Sequence, residues 1–270
     1  MFRPDPKGSY LMPVHFGRGD YFGGGMFDPS FVVTQKATGI LLSYETERQM
    51  LENYVPEVFD LLEPRVHIAY NLFTEINWMH GGAYNLLDVS VPVRFHGKTD
   101  TLDGSYPLVT WENRTAPILG GREQTGIPKI YADIEDLHVQ RPHYLGSASN
   151  RGSTFFSLSF EETGQITGPD LDAAKVQCKS ANVIGWRWIP KVGTPGAELS
   201  QFILYPQGLD IDSGFVGRAS LRWIEQSPMQ YGFQFWIVNQ LAALPIKRIY
   251  DAYLFHGGSR LNPLSARVLE

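Results

Sequence analysis

After residue 64 the chain is a succession of short apolar or alternating runs, each cut off by a cluster of glycine, asparagine, aspartate or proline. The runs cover residues 65–73, 84–95, 106–111, 129–133, 152–160, 182–189, 201–205, 214–224 and 231–238. Period-two alternation bounded by turn residues is the mark of β-strands, and many short strands in series predict an antiparallel sandwich or barrel. An apolar run at residues 40–44 adds another strand. Helix signals are few. Thr46 followed by Gln49 has the form of a capping box, which places Met50, Leu51 and Tyr54 inward and Pro56 at the helix end. Pro169 and Asp170 open a second helix over residues 171–179, and Asp103-Gly104 predicts a hairpin turn.

Hydrophobic residues at 43% and charged residues at 19% of 270 supply a sizeable core and exclude a disordered chain. A net charge of −5 without a basic stripe argues against nucleic acid as a partner. No apolar run is long enough to span a membrane. Residues 1–13 hold no apolar stretch of signal-peptide length. Cys178, the single cysteine, excludes an intrachain disulfide, fits a reducing cytoplasm and reads as a small packing residue. Residues 1–30, rich in glycine, proline and aromatics, read as an N-terminal arm. No linker or repeat divides residues 31–270, which read as one domain.

Several familiar sites are missing. There is no Gly-x-Ser-x-Gly elbow, and the seven histidines never fall at zinc-helix spacing. His80-Gly81-Gly82 and His256-Gly257-Gly258 read as turns. Gly17, Gly19 and Gly23 have the wrong spacing for a dinucleotide fingerprint, and no strand precedes them. No metal and no cofactor is expected. What remains is the run Gly121-Arg122-Glu123-Gln124-Thr125-Gly126-Ile127-Pro128-Lys129. It ends in a lysine at the edge of an apolar strand. An amine is a poor nucleophile while protonated, and apolar surroundings disfavour the ammonium form. For an arbitrary Pro-Lys pair a solvated strand-edge charge is the usual outcome; here the flanking residues alter the odds.

Gly121-Arg122-Glu123 followed by Pro128-Lys129 resembles the signature of the acetoacetate decarboxylase superfamily. Tyr44 with Thr46, Val55-Pro56-Glu57, Tyr84 with Val91-Pro92-Val93, and Leu244-Pro245-Ile246-Lys247 resemble further family segments in the same order. The resemblance runs from about Tyr44 to Tyr253. It implies a mainly β fold, an antiparallel cone-like barrel or double sheet with a few short helices. It also implies a lysine that forms a Schiff base with a keto acid, the iminium then serving as an electron sink.

The chain departs from the decarboxylase pattern in one direction. The second lysine after the nucleophile is replaced by Ile130. The pocket glutamates fall at Ala69 and Leu86, and the pocket arginine near Ala37. The expectation is a lysine activated by desolvation alone, walled by Ile127 and Ile130, with weak or absent acetoacetate decarboxylation. The resemblance then points to the branch of aldolase-dehydratases acting on pyruvate. In that reading Lys129 is the nucleophile, Tyr84 and Tyr253 carry protons, and Gln124 orients the carboxylate. Arg122 either binds carboxylate or braces the structure, with Glu123 as its ion-pair partner. The partners are a small 2-oxo acid and an aldehyde, within a homo-oligomer of four or more copies. The rival readings are a β-keto acid decarboxylase and a non-catalytic small-ligand-binding protein. Trp186, Trp188, Trp223 and Trp236 are expected to pack the sheet.

Overall fold

The computed structural model describes residues 3–6, 8–16, 25–26 and 30–270. Its strands are β1 (Val33–Glu45), β2 (Arg65–Ile76), β3 (Gly82–His96), β4 (Thr101–Glu112) and β5 (Lys129–Tyr131). They continue with β6 (His143–Asn150), β7 (Ser153–Ile166), β8 (Ala181–Pro190), β9 (Ala197–Gln207), β10 (Asp210–Trp223) and β11 (Ala252–Leu261). Hydrogen bonding orders the long strands β6-β7-β10-β11-β1-β2-β3-β4-β8-β9, with shorter strands at both ends. The fold is mainly β. The path runs open rather than closing on itself, and the sheet is mixed, since β4 and β8 meet in parallel at one residue pair, Val183 and Ser105. No helix among the described residues is long and apolar enough to cross a membrane.

Alternation divides the sheet into two faces. Ile40, Leu42, Ile68, Tyr70, Leu87, Val89, Val91, Val109 and Trp111 point to one side and form the main core. Residues of the opposite parity, including Ala37, Phe73, Tyr84 and Phe255, build a smaller cluster on the other side. β5 lies parallel to β4, so a crossover must join them, and residues 113–128 provide it. The crossover is α2 (Thr115–Gly120) running into a single π-helical turn, Gly121–Thr125.

Some local expectations give way to tertiary structure. The hairpin between β3 and β4 turns at residues 97–100, where the Gly97 N–H donates to the Asp100 carbonyl at 2.8 Å. Asp103-Gly104 lies within β4. There Asp103 takes two hydrogen bonds from Arg94 across the ladder, at 2.5 and 2.8 Å. Gly104 admits β8: a Cβ would stand 2.8 Å from the Asn182 carbonyl oxygen.

His256-Gly257-Gly258 is likewise strand, inside β11, and a Cβ on Gly257 would meet the Asp210 carbonyl oxygen at 2.1 Å. α1 (Arg48–Glu52) takes Glu47 as its N-cap with no side-chain cap, so the Thr46 capping box does not form. Leu51 is buried, but Met50 is exposed. The second helix, α3 (Gly168–Cys178), forms close to its expected bounds.

Residues 231–238 are helical, running from the end of α4 (Pro228–Tyr231) through a 3-10 turn (Gly232–Gln234) into α5 (Phe235–Ala243). Pro228 sits in the first turn of α4, and Ser227 with Gln230 closes a capping box that outweighs the aromatic content. Trp223 is buried and Trp186 packs on the main core, while Trp188 and Trp236 stand about half exposed. Gly17, Gly19 and Gly23 lie outside the described residues.

Candidate active site

Residues paired across neighbouring strands share a face, so the ladder registers lay out the site. Thr110 pairs with Lys129, Asp88 with Thr110, Ala69 with Asp88 and Leu41 with Ala69. Two residues along, Glu112 pairs with Leu86, Leu86 with Asn71 and Asn71 with Gly39. A third row holds Tyr84, Phe73 and Ala37. All three rows lie on the side opposite the main core. Lys129, Asp88, Glu112 and Tyr84 therefore project into one region, beside the smaller apolar cluster.

The signature turn places the lysine. Ile127 N–H donates to the Gly121 carbonyl at 3.1 Å, closing the loop, and Gly126 takes a left-handed φ of 69° against the β8 backbone. Gly121 is a seat for the side chain: a Cβ there would stand 2.4 Å from Lys129 Cδ and 2.5 Å from Cε. The amine donates to the Pro117 carbonyl at 3.3 Å and lies 2.7 Å from Glu112 Oε1. Lys129's side chain is 12% exposed and that of Glu112 is 0% exposed. The lysine side chain is thus largely, though not wholly, withdrawn from solvent.

Glu112 overturns the expectation of a lysine activated by desolvation alone in a pocket without carboxylates. Burial raises the Glu112 pKa; the nearby Lys129 pulls it back, and Asp88 pushes it further up. Burial raises Asp88 as well, offset by hydrogen bonds from Thr110 and Ser90 and by the charge of Lys129. Thr110 Oγ1 donates to Asp88 Oδ1 at 2.6 Å. Neither Glu112 oxygen, by contrast, accepts a hydrogen bond of standard geometry among the described residues, and Oε1 meets the amine only as an ion pair. A fully buried acid, a partly buried acid and a partly buried amine thus stand together at the site.

The other expected residues divide. Tyr84 is buried close to Glu112; burial and that carboxylate hold its hydroxyl well above the ordinary phenol range, although Gln35 hydrogen-bonds it. Its hydroxyl stays protonated there. Tyr253 lies in the same row as Lys129 but far along it. It pairs with Leu41, five ladders from Lys129, and is 45% exposed.

Gln124 is half-buried within the π turn. Arg122 is exposed, and its Nη1 donates to the Lys129 backbone carbonyl at 3.1 Å, bracing the strand that carries the amine. Glu123 accepts from the Met12 N–H at 3.3 Å, which ties the N-terminal segment to the same turn. Ile127 is buried beside the lysine, whereas Ile130 faces the main core and walls nothing at the site.

A mainly β sheet with a lysine and acids buried together on its less-packed face, served by a π-helical crossover, defines the class. The chain belongs to the acetoacetate decarboxylase (ADC) family, whose sequence profile matches residues 12–265. An acetoacetate decarboxylase of Burkholderia vietnamiensis is 32% identical over 190 residues, which are 67% of this chain and 70% of that protein. Among solved structures, acetoacetate decarboxylase of Legionella pneumophila superposes with a TM-score of 0.73 at 20% identity, over 91% of this chain and 88% of its own. The enduracididine biosynthesis enzyme MppR, solved with pyruvate, superposes with a TM-score of 0.69 at 12% identity, over 97% of both chains.

Proposed function

We propose that the protein is a lyase in which Lys129 forms a Schiff base with pyruvate or a related 2-oxo acid. The bound acid is then joined to an aldehyde with loss of water. The observation that carries this reading is the amine itself, 12% exposed, seated on Gly121 and in contact with a fully buried acid. Attack of its lone pair on the ketone carbon and loss of water give an iminium. The iminium makes the adjacent methyl protons acidic, and loss of one leaves an enamine. The enamine carbon attacks the aldehyde carbonyl, the new hydroxyl leaves as water, and hydrolysis of the iminium returns the lysine. Most of these steps move a proton at carbon or oxygen, so they require acids and bases beside the amine, as this site provides. The fold shared with MppR, which was solved with pyruvate, supports the choice of keto acid.

A second reading, decarboxylation of a 3-oxo acid through the same iminium, is favoured by the 32% identity to a protein named acetoacetate decarboxylase. It also gains from the two acids, whose expected absence had argued against it.

Borohydride reduction in the presence of pyruvate tests both readings. A stable mass adduct on Lys129, lost in Lys129→Ala, is the expected result, and no adduct with any 2-oxo or 3-oxo acid overturns both. Ultraviolet absorbance with a panel of aldehydes separates them, because conjugated products absorb strongly and carbon dioxide release does not.

A further inference from the structure

We infer that Glu112 is the proton carrier for Schiff-base formation at Lys129: Oε1 takes the ammonium proton, and the carboxyl later hands a proton to the departing hydroxyl. The inference rests on the reading of Lys129 as the amine that condenses with a keto acid.

Three observations separate Glu112 from the other groups around the amine. First, its Oε1 lies 2.7 Å from Nζ, at ion-pair distance and near enough for a proton to pass after a small rotation of either side chain. Second, both carboxylate oxygens are buried and neither accepts a hydrogen bond of standard geometry among the described residues. A buried, unsatisfied carboxylate oxygen is costly, and it persists where chemistry uses it. Third, Asp88 is already committed, since Thr110 and Ser90 hydrogen-bond it. Tyr84 bonds Gln35 and keeps its proton. The titratable groups facing Glu112 are thus Lys129 on β5 and Asp88 and Tyr84 on β3. Burial raises the proton affinity of the Glu112 carboxyl.

The steps balance. Lys129 passes one proton to Glu112, which becomes a carboxylic acid, and the freed lone pair forms a bond to the ketone carbon. The carbonyl π electrons move to oxygen, which takes the proton from Glu112. The nitrogen, now bearing a positive charge, returns a proton to the carboxylate and leaves a neutral carbinolamine. Glu112 then protonates the hydroxyl, the carbon–oxygen bond breaks, and the nitrogen lone pair forms the iminium as water departs. An ammonium–carboxylate pair and a ketone have become an iminium–carboxylate pair and water.

The test is the rate of borohydride-trappable adduct with pyruvate across pH 5–9, in the full chain and in E112Q and E112D. For E112Q the rate at neutral pH should fall roughly 100-fold. Its dependence on pH should steepen, because the ammonium proton must then leave to solvent or hydroxide. E112D keeps a carboxylate on a shorter arm, so it should retain the wild-type pH profile at a reduced rate; it serves equally if E112Q fails to fold. An E112Q rate and pH profile matching wild type overturn the inference while leaving Lys129 as the amine. An E112D profile as steep as that expected for E112Q overturns it too. Absence of any adduct in the unaltered protein overturns this inference and the functional reading together.

Discussion

Leu86 and Glu112 are direct cross-strand partners on β3 and β4, so the carboxylate missing from one strand stands on the next. The same holds one row away, where Ala69 on β2 pairs with Asp88 on β3. Both positions at which the family resemblance places a glutamate are apolar here, and both have an acid as ladder neighbour on the same face. Partners of this kind keep their Cβ atoms about 4.5–5.5 Å apart. A carboxylate moved by that distance still reaches the same space.

The relationship is testable by exchange. E112L alone should cut adduct formation roughly 100-fold by removing the acid at the amine. The double variant L86E/E112L restores a carboxylate from the opposite strand, and the rate should return to within about 10-fold of wild type. Trapping kinetics on both variants, with circular dichroism to check folding, decide it. A folded double variant as slow as E112L would show that the acid must come from β4.

Gly121→Ala should damage the chemistry far more than the fold. The added methyl would meet Cδ, Cε and Nζ of Lys129 at 2.4, 2.5 and 3.0 Å. These atoms belong to a flexible side chain, so the lysine yields and leaves Glu112 while the backbone stays in place. Displacing a reacting group by about 1 Å costs roughly 100-fold in rate. The expected result is that loss in trapping rate with a melting temperature little changed. A variant that traps pyruvate at the wild-type rate would show that the seat is dispensable.

Most of the strand pattern was legible because alternation records burial directly, and Lys129 was legible from its motif. Glu112 was not. The strand looked finished at Trp111, although Thr110 and Glu112 flank a fully buried tryptophan and so share the opposite face. That parity, two polar residues on the face that also receives Lys129, was the available signal. Asp103-Gly104 misled for another reason. The same dipeptide that favours a turn here serves a cross-strand ion pair and a close strand approach, which only tertiary structure reveals. Tyr253 is assigned to the site by the family resemblance of its segment, and the register sets it five ladders from Lys129 along the sheet.

Asp88→Asn should change how stability depends on pH. Burial lifts the folded-state pKa of Asp88 above its ordinary 3.8, so between those two values the folded protein binds more protons than the unfolded chain. Stability from this group therefore falls as pH rises through that window. Asparagine keeps the acceptor for Thr110 without the titration. Relative to D88N, the wild type should lose stability as pH rises from about 4 toward neutrality. Urea unfolding at several pH values measures the difference. A difference that does not vary with pH would show that Asp88 is not held above its ordinary range.

Tyr231→Phe should weaken the fold from the far side of the sheet. The Tyr231 hydroxyl accepts from Trp111 Nε1 at 2.7 Å and donates to the Tyr131 carbonyl at 3.1 Å, so one oxygen joins α4, β4 and β5. The ring itself stacks on Phe155 with centroids 5.1 Å apart, and phenylalanine preserves that packing. Only the two hydrogen bonds are lost, leaving a buried indole N–H without its partner. An unsatisfied buried donor costs about 1–3 kcal/mol. Urea titration should show the unfolding free energy falling by that amount, through a lower midpoint with the slope unchanged. Because Tyr131 lies two residues beyond Lys129 on β5, amide exchange across residues 129–131 should quicken as well. Unchanged exchange together with unchanged stability would mean that β5 is held by its ladder to β4 and by Arg122, and that the hydroxyl bridge adds nothing.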